Sequence, residues 1–115
     1  MKKPKRDDLM WLVGLLEGEG CFTLSTRDCP RIQMVSSDRD VVKRVAELFD
    51  RKLHKKSLSV GSYGKKPQYV TRMIGSESVK WMKLLEPYMG KRRAKRIREV
   101  IGIAENRPRS RNANT

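Results

Sequence analysis

The sequence predicts an α+β fold: one four-stranded antiparallel sheet, helices covering one of its faces, and an extra helix at the C-terminus. Three observations predict it. Residues 21–36 and 57–74 each alternate polar and apolar side chains around a central turn, the pattern of a hairpin with one wet and one dry face. Between them Val41, Val42, Val45, Leu48 and Phe49 fall at i, i+1, i+4, i+7 and i+8, an amphipathic helix. Ahead of both lies an apolar run that stops abruptly in glycines. Two hairpins joined by a helix can share one sheet, with the helices on one side.

The first helix is predicted over residues 9–18. Leu9, Met10, Trp11, Leu12, Val13, Leu15 and Leu16 are apolar nearly all round, so burial on more than one side is expected. Asp7 or Asp8 is the expected N-cap, and Gly18 and Gly20 the stop. Gly14 and Gly18 are four apart and share a face that a second backbone can approach closely. Glu19 is out of place, because a carboxylate at a helix C-terminus meets the negative end of the macrodipole. Such a position calls for a cation. Two of these helices packed through their glycines would bring two carboxylates and several carbonyls together, an all-oxygen site suited to Mg²⁺.

In the first hairpin Phe22 and Leu24 face one side, and Thr23, Ser25 and Arg27 the other. Asp28-Cys29-Pro30 reads as its turn. Ile32 and Met34 point inward on the return, with Arg31, Gln33 and Val35 outward. Ser37 and Asp40 make a capping box for the amphipathic helix. Arg51, Lys52, His54, Lys55 and Lys56 form a basic connector. The second hairpin puts Leu58 and Val60 inward, turns at Tyr63–Pro67, and returns with Tyr69, Thr71 and Met73 inward and Gln68, Val70 and Arg72 outward. Ser76 is expected to cap a third helix, carrying Val79, Trp81, Met82, Leu84 and Leu85 and stopping at Pro87. A fourth runs from about Gly90 to Glu105 on an inner stripe of Ala94, Ile97, Ile101 and Ala104. The sheet face without helices then presents Thr23, Ser25, Arg27, Arg31, Gln33, Ser57, Ser59, Gln68 and Arg72, hydrogen-bonding groups on a ribbon that can enter a major groove.

Charge points the same way. Lys and Arg number 27 against 13 Asp and Glu, a net +14 on 115 residues. That exceeds what solubility requires and suits a polyanionic backbone. Six of the eight residues from Lys91 to Arg98 are basic, and positive charge at a helix N-terminus opposes the macrodipole, so an anion is expected there; phosphate is the obvious candidate. This assigns Arg93, Lys95 and Arg96 to phosphate contacts. Residues 1–6 form a basic arm, 7–105 one domain and 106–115 a polar basic tail predicted to be disordered. Cys21 and Cys29 are read as reduced thiols, and zinc is not expected, with His54 the only histidine and no Cys-x-x-Cys pair. No apolar run reaches membrane length and no signal peptide is visible. The expected setting is intracellular, cytoplasmic or nucleoid, with an organelle left open.

The nonapeptide Leu12-Val13-Gly14-Leu15-Leu16-Glu17-Gly18-Glu19-Gly20, continued by Cys21-Phe22, resembles the LAGLIDADG motif of homing endonucleases. Leu12, Gly14, Leu15, Leu16, the acidic Glu17 and Glu19, and Gly20 match, while Val13 and Gly18 replace alanines. The order αββαββα plus one helix extends the resemblance over residues 8–104. It implies a saddle-shaped sheet and site-specific hydrolysis of double-stranded DNA with Mg²⁺ or Mn²⁺, leaving staggered 3′ overhangs, in the service of intron or intein mobility. Glu19 matches the metal-binding acidic position, helped by the Gly18 carbonyl, and Glu17 the acidic position with a structural role at the helix ends. Ser25, Arg27, Arg31, Gln33, Gln68, Val70 and Arg72 fall where the family reads DNA. Ser36 falls where a polar residue orders water near the metal, and Lys91 or Arg92 where a basic residue supports the active site. One motif without an internal repeat implies a homodimer on a pseudo-palindromic target. Its interface is assigned to Leu12, Val13, Gly14, Glu17 and Gly18. Two alternatives stand beside this reading: a DNA-binding regulator that kept the fold and lost cleavage, and an RNA-binding maturase or ribosomal-type protein.

Overall fold

A computed structural model of the chain describes residues 2–56 and 66–106. Four helices and four strands follow one another in the predicted order: α1 (Arg6–Glu19), β1 (Gly20–Ser25), β2 (Cys29–Ser36), α2 (Arg39–Phe49), β3 (His54–Lys56), β4 (Gln68–Ile74), α3 (Ser76–Leu85) and α4 (Lys91–Asn106). The strands form one sheet in the order β1-β2-β4-β3, antiparallel throughout. The two hairpins therefore join through their second strands, and β1 and β3 lie at the outside.

The α1 helix buries one face. Leu9, Leu12 and Leu16 pack on Phe22, Ile32, Met34 and Met73 from the sheet and on the stripes of the other helices. On the opposite face Gly14 and Gly18 are exposed, and Met10, Trp11, Val13 and Leu15 are half-buried. Burial on several sides is thus not reached within one chain. The α2 stripe places Val42, Val45 and Phe49 inside, where Phe49 meets Trp81 of α3 edge to face, ring centroids 5.1 Å apart. Inside α4 the stripe is Ala94, Ile97 and Val100; Val100 takes the place expected of Ile101, and Ile101 and Ala104 are half-buried.

The helix caps shift by a residue or two. The N-cap of α1 is Lys5, and Asp7 and Asp8 sit in the first turn, where they complement the positive end of the dipole instead of capping it. Asp38, not Ser37, caps α2, accepting from the Val41 N–H at 3.4 Å. Gly75 precedes α3 at φ +106°, a conformation that only glycine adopts without strain, and donates its N–H to the Pro30 carbonyl at 2.9 Å. Ser78, fully buried, donates to the Met73 carbonyl at 2.8 Å. The first hairpin turns two residues earlier than Asp28-Cys29-Pro30: Thr26–Asp28 make the turn, with Arg27 and Asp28 at φ 62° and 58°, and Cys29 pairs with Ser25. The connector is shorter than predicted, since His54–Lys56 is already strand.

Lys2, Lys3, Pro4 and Lys5 line a cavity of about 440 Å³ with Asp8, Glu47, Asp50 and Glu77, floored by Phe49 and Trp81. The basic arm thus lies among carboxylates at the far end of α1 from Glu19, about 20 Å away at 1.5 Å per helical residue. Among the described residues no helix is long and apolar enough to cross a membrane.

Candidate nucleic-acid interface

Strand register sorts the open face of the sheet into rows. Cys21 stands opposite Gln33, which stands opposite Arg72; Thr23, Arg31 and Ile74 form the next row; Val35, Val70 and His54 form a third, and Gln68 pairs with Lys56. Gln33 and Arg31 are half-buried, and Arg72, Gln68, His54 and Lys56 are exposed. The inward set of β4 is Tyr69, Thr71 and Met73, as predicted; the Thr71 hydroxyl donates to the Lys52 carbonyl at 3.0 Å. Val70 is corrected: it shares the parity of the open face yet is only 3% exposed, hemmed between Val35 and His54, so it offers no edge to a ligand. Ser25 is half-buried and its hydroxyl donates to the Cys29 carbonyl at 3.3 Å, closing the turn. Arg27 sits in that turn. Ser57 and Ser59, with the strand expected around them, lie outside the described residues.

Cys21, Ile74 and His54 belong to this face as well, and the predicted set lacked them. For Cys21 and Ile74 the signal was available, because Cys21 keeps the parity of Thr23 and Ile74 that of Arg72. Ile74 is 45% exposed beside Arg31, whose Nε is buried and makes no hydrogen bond among the described residues. Cys21 and Cys29 are free thiols, four pairing steps apart along the first hairpin.

The end of α1 is organised by α4. Glu17 Oε1 accepts from the Gly90 N–H at 2.6 Å, just ahead of the first turn of α4, and Glu17 Oε2 lies 3.9 Å from Arg93 Nε. The Glu17 carboxylate thus supplies an anion from within the chain at the basic N-terminus of α4, where a phosphate was expected. Arg93 donates through Nε to the Glu17 carbonyl at 3.0 Å and through Nη1 to the Gly20 carbonyl. One turn on, Arg96 Nε donates to the Phe22 carbonyl at 3.1 Å. Arg93 and Arg96, predicted as phosphate contacts, thus each donate to protein carbonyls, Arg93 from a half-buried position and Arg96 from an exposed one. Arg98 pairs with Glu86 at 3.2 Å. Lys91, Arg92 and Lys95 are exposed and make no ion pair with the described residues.

Glu19 is the last residue of α1, exposed, and free of any hydrogen bond or ion pair to the described residues. Gly18 beside it is exposed. Gly20 is required sterically: a Cβ there would lie 2.8 Å from the Leu16 carbonyl oxygen and Cδ2. A Cβ on Gly14 or Gly18 would meet nothing within 4 Å, so nothing in the chain's own packing calls for glycine at either place. Leu12 is corrected from interface to core, at 0% exposure; Val13 is half-buried. Ser36 keeps the inward parity of Ile32 and Met34, and its hydroxyl accepts from the Asp38 N–H at 3.1 Å, so it serves the turn into α2. Among the described residues no group of three or more His, Cys, Asp or Glu could by itself enclose a metal ion.

No curated protein matches the chain by sequence. Solved structures do. The DNA complex of the group I intron-encoded homing endonuclease I-CeuI superposes at a TM-score of 0.68 with 16% identity, covering 91% of this chain and 57% of that one. The homing endonuclease I-CvuI with its target and Ca superposes at 0.67 with 14% identity, covering 92% and 73%. The archaeal intron-encoded homing endonuclease I-Vdi141I with DNA superposes at 0.62 with 16% identity, covering 89% and 72%. This chain spans just over half the length of I-CeuI. At these identities the likeness concerns the fold, a four-stranded antiparallel sheet backed by helices. The profile of the LAGLIDADG-like domain family matches residues 7–84, about two thirds of the chain, and the chain belongs to that family.

Proposed function

We propose that two copies of this chain, paired through α1, form a site-specific endonuclease for double-stranded DNA that depends on a divalent metal. The observation that carries this reading is Glu19. A carboxylate placed against the negative end of its own helix, exposed and without a partner among the described residues, is unfavourable unless a cation comes to it. In a chain of net charge +14 it also brings negative charge toward a polyanion, which a pure binder gains nothing from. The solved relatives by fold were captured on DNA, and I-CvuI in the presence of Ca and of Mg.

The donors fit Mg²⁺ or Mn²⁺. The Glu19 carboxylate and the Gly18 carbonyl are hard oxygen ligands, and the described residues of one chain supply too few to enclose an ion, so a second copy, water and phosphate oxygens would complete the set. When bound, such a cation stabilises charge on the phosphodiester oxygens and eases deprotonation of the attacking water. The residues of the chain do the rest. Gly14 and Gly18 let the α1 helices approach, which sets the two Glu19 side chains close together. Lys91 or Arg92, on the first turn of α4, offsets charge on the scissile phosphate. The rows Cys21–Gln33–Arg72 and Thr23–Arg31–Ile74 face base edges, while Arg92 and Lys95 hold backbone phosphates.

The test is incubation of the protein with a randomised duplex library and Mg²⁺. Cut ends should converge on one sequence of approximate dyad symmetry with 3′ overhangs. Selective retention of duplex without cutting, in Mg²⁺ and in Mn²⁺, would leave a regulator; preference for structured RNA would leave a maturase; either overturns the reading. Among binding variants, Arg92→Ala or Lys95→Ala should weaken all sequences alike and flatten the salt dependence by about 0.9 in log–log slope for each phosphate no longer neutralised. Gln33→Ala or Arg72→Ala should instead change which base is preferred, by about 1–3 kcal/mol at the base pair it touches. Identical behaviour of the two groups across a site library would remove the sheet as the reading surface.

A further inference from the structure

We infer that Arg93 is a positioning residue for Glu19, acting from α4 across the α1–β1 junction. Its side chain spans that junction: Nε donates to the carbonyl of Glu17, two residues before Glu19, and Nη1 donates to the carbonyl of Gly20, one residue after it. The Glu17 carboxylate, 3.9 Å from the same Nε, accepts the Gly90 N–H at 2.6 Å. The Arg93 side chain is 21% exposed, so these bonds are largely shielded from water.

A helix end leaves its last four carbonyls without intrahelical partners. In α1 the Leu16 carbonyl takes the Gly20 N–H, and the Glu17 carbonyl takes Arg93. The Gly18 carbonyl lies outside both bonds. Arg93 thus fixes the backbone on either side of Gly18 and Glu19 without occupying either of their oxygens. Lysine has the charge but, as one compact point of donors on a flexible stem, cannot hold two carbonyls in a fixed fork. The distinctive consequence is that a residue on the basic face of α4, which reads as a phosphate ligand, governs metal-dependent turnover and leaves DNA affinity alone.

The inference rests on the nuclease reading for its catalytic part, so the experiment has two arms. In the first, amide hydrogen exchange is compared at residues 18–21 in wild type, Arg93→Lys and Arg93→Gln. Faster exchange there, with the sheet core at β2 and β4 unchanged, is the expected result and needs no nuclease activity. Unchanged exchange at 18–21 overturns the clasp. If Arg93→Gln does not fold, Arg93→Lys decides. In the second arm, on a verified target, DNA affinity is measured in Ca²⁺ and turnover is titrated with Mg²⁺. A loosened junction displaces Glu19 by a fraction of an ångström to an ångström, so kcat should fall by about 10- to 100-fold and the Mg²⁺ midpoint should rise. DNA affinity should move by less than about threefold, much less than removal of a phosphate-binding cation produces at low salt. Weakened binding with unchanged kcat makes Arg93 an ordinary backbone ligand and overturns the inference. A wild-type protein that cuts nothing refutes the nuclease reading alone, and the exchange arm still decides the clasp.

Discussion

Glu19→Gln is expected to lower cleavage of a verified target on the order of a thousandfold while the protein stays folded and dimeric. The side chain is exposed and unpaired among the described residues, so nothing in the fold depends on its charge. The amide keeps shape and hydrogen-bonding capacity but loses the charge that would hold a hard divalent cation. Transition-state stabilisation of that kind is worth several kcal/mol, and each 1.36 kcal/mol is tenfold in rate. DNA affinity should stay level or rise slightly, because a negative charge near phosphates has gone. Ca²⁺ should support binding with little cutting. Glu17→Gln should differ in kind. Its carboxylate receives the Gly90 N–H and faces Arg93, so the loss should appear as lower stability to urea, by about 0.5–1.5 kcal/mol, before it appears in chemistry. If Glu19→Gln cuts at near the wild-type rate, the motif is a packing helix and the metal site lies elsewhere.

The second large effect concerns assembly. Gly14→Leu or Gly18→Leu should leave the monomer folded and weaken the dimer by roughly thirtyfold or more in Kd. Each position is exposed, with no heavy atom within 4 Å of an added Cβ, so one chain accommodates a larger side chain. Leucine even has a higher helix propensity than glycine, by about 0.5–1 kcal/mol. Forcing the same side chain into a close backbone crossing costs about 1–3 kcal/mol per site, which in a two-fold dimer occurs twice. Sedimentation equilibrium against urea unfolding separates the outcomes: unchanged stability with a correspondingly raised dimer Kd is expected, whereas an unchanged dimer Kd would place the interface elsewhere.

How far the sequence carried this reading depends on where each signal lives. The first hairpin, β4, α2 and the core stripes were legible because periodicity 2 and 3.6 is a local property, and Phe22, Ile32, Met34, Val45 and Met73 fell where the alternation put them. β3 was not legible, since His54–Lys56 has three exposed polar side chains and no alternation; only its pairing with β4 defines it. Caps slipped because Ser37 and Asp38 are equally good candidates, and Ser76 follows a glycine whose backbone, not its side chain, makes the bend. Val70 kept the right parity but not the right exposure, because parity says which face a residue is on and nothing about its neighbours there. The arrangement of Glu17, Gly90 and Arg93 spans 76 residues of chain, and no local pattern announces a bond of that length. The basic run did announce that an anion was needed. It could not say that the anion was already part of the protein.

The arginines of α4 also bear on colloidal behaviour. A sheet with two open margins invites further chains to add as strands, and that is how antiparallel proteins aggregate. Along β1, the Gly20 and Phe22 carbonyls are already held by Arg93 and Arg96, so an incoming strand finds its acceptors taken and a row of positive charge in its path. At the other margin β3, as described, offers three residues, His54, Lys55 and Lys56, all exposed and two of them lysine. A second copy approaching there meets the same cations and is repelled. The charge that gives the chain its net +14 therefore also opposes fibre-like growth through the sheet.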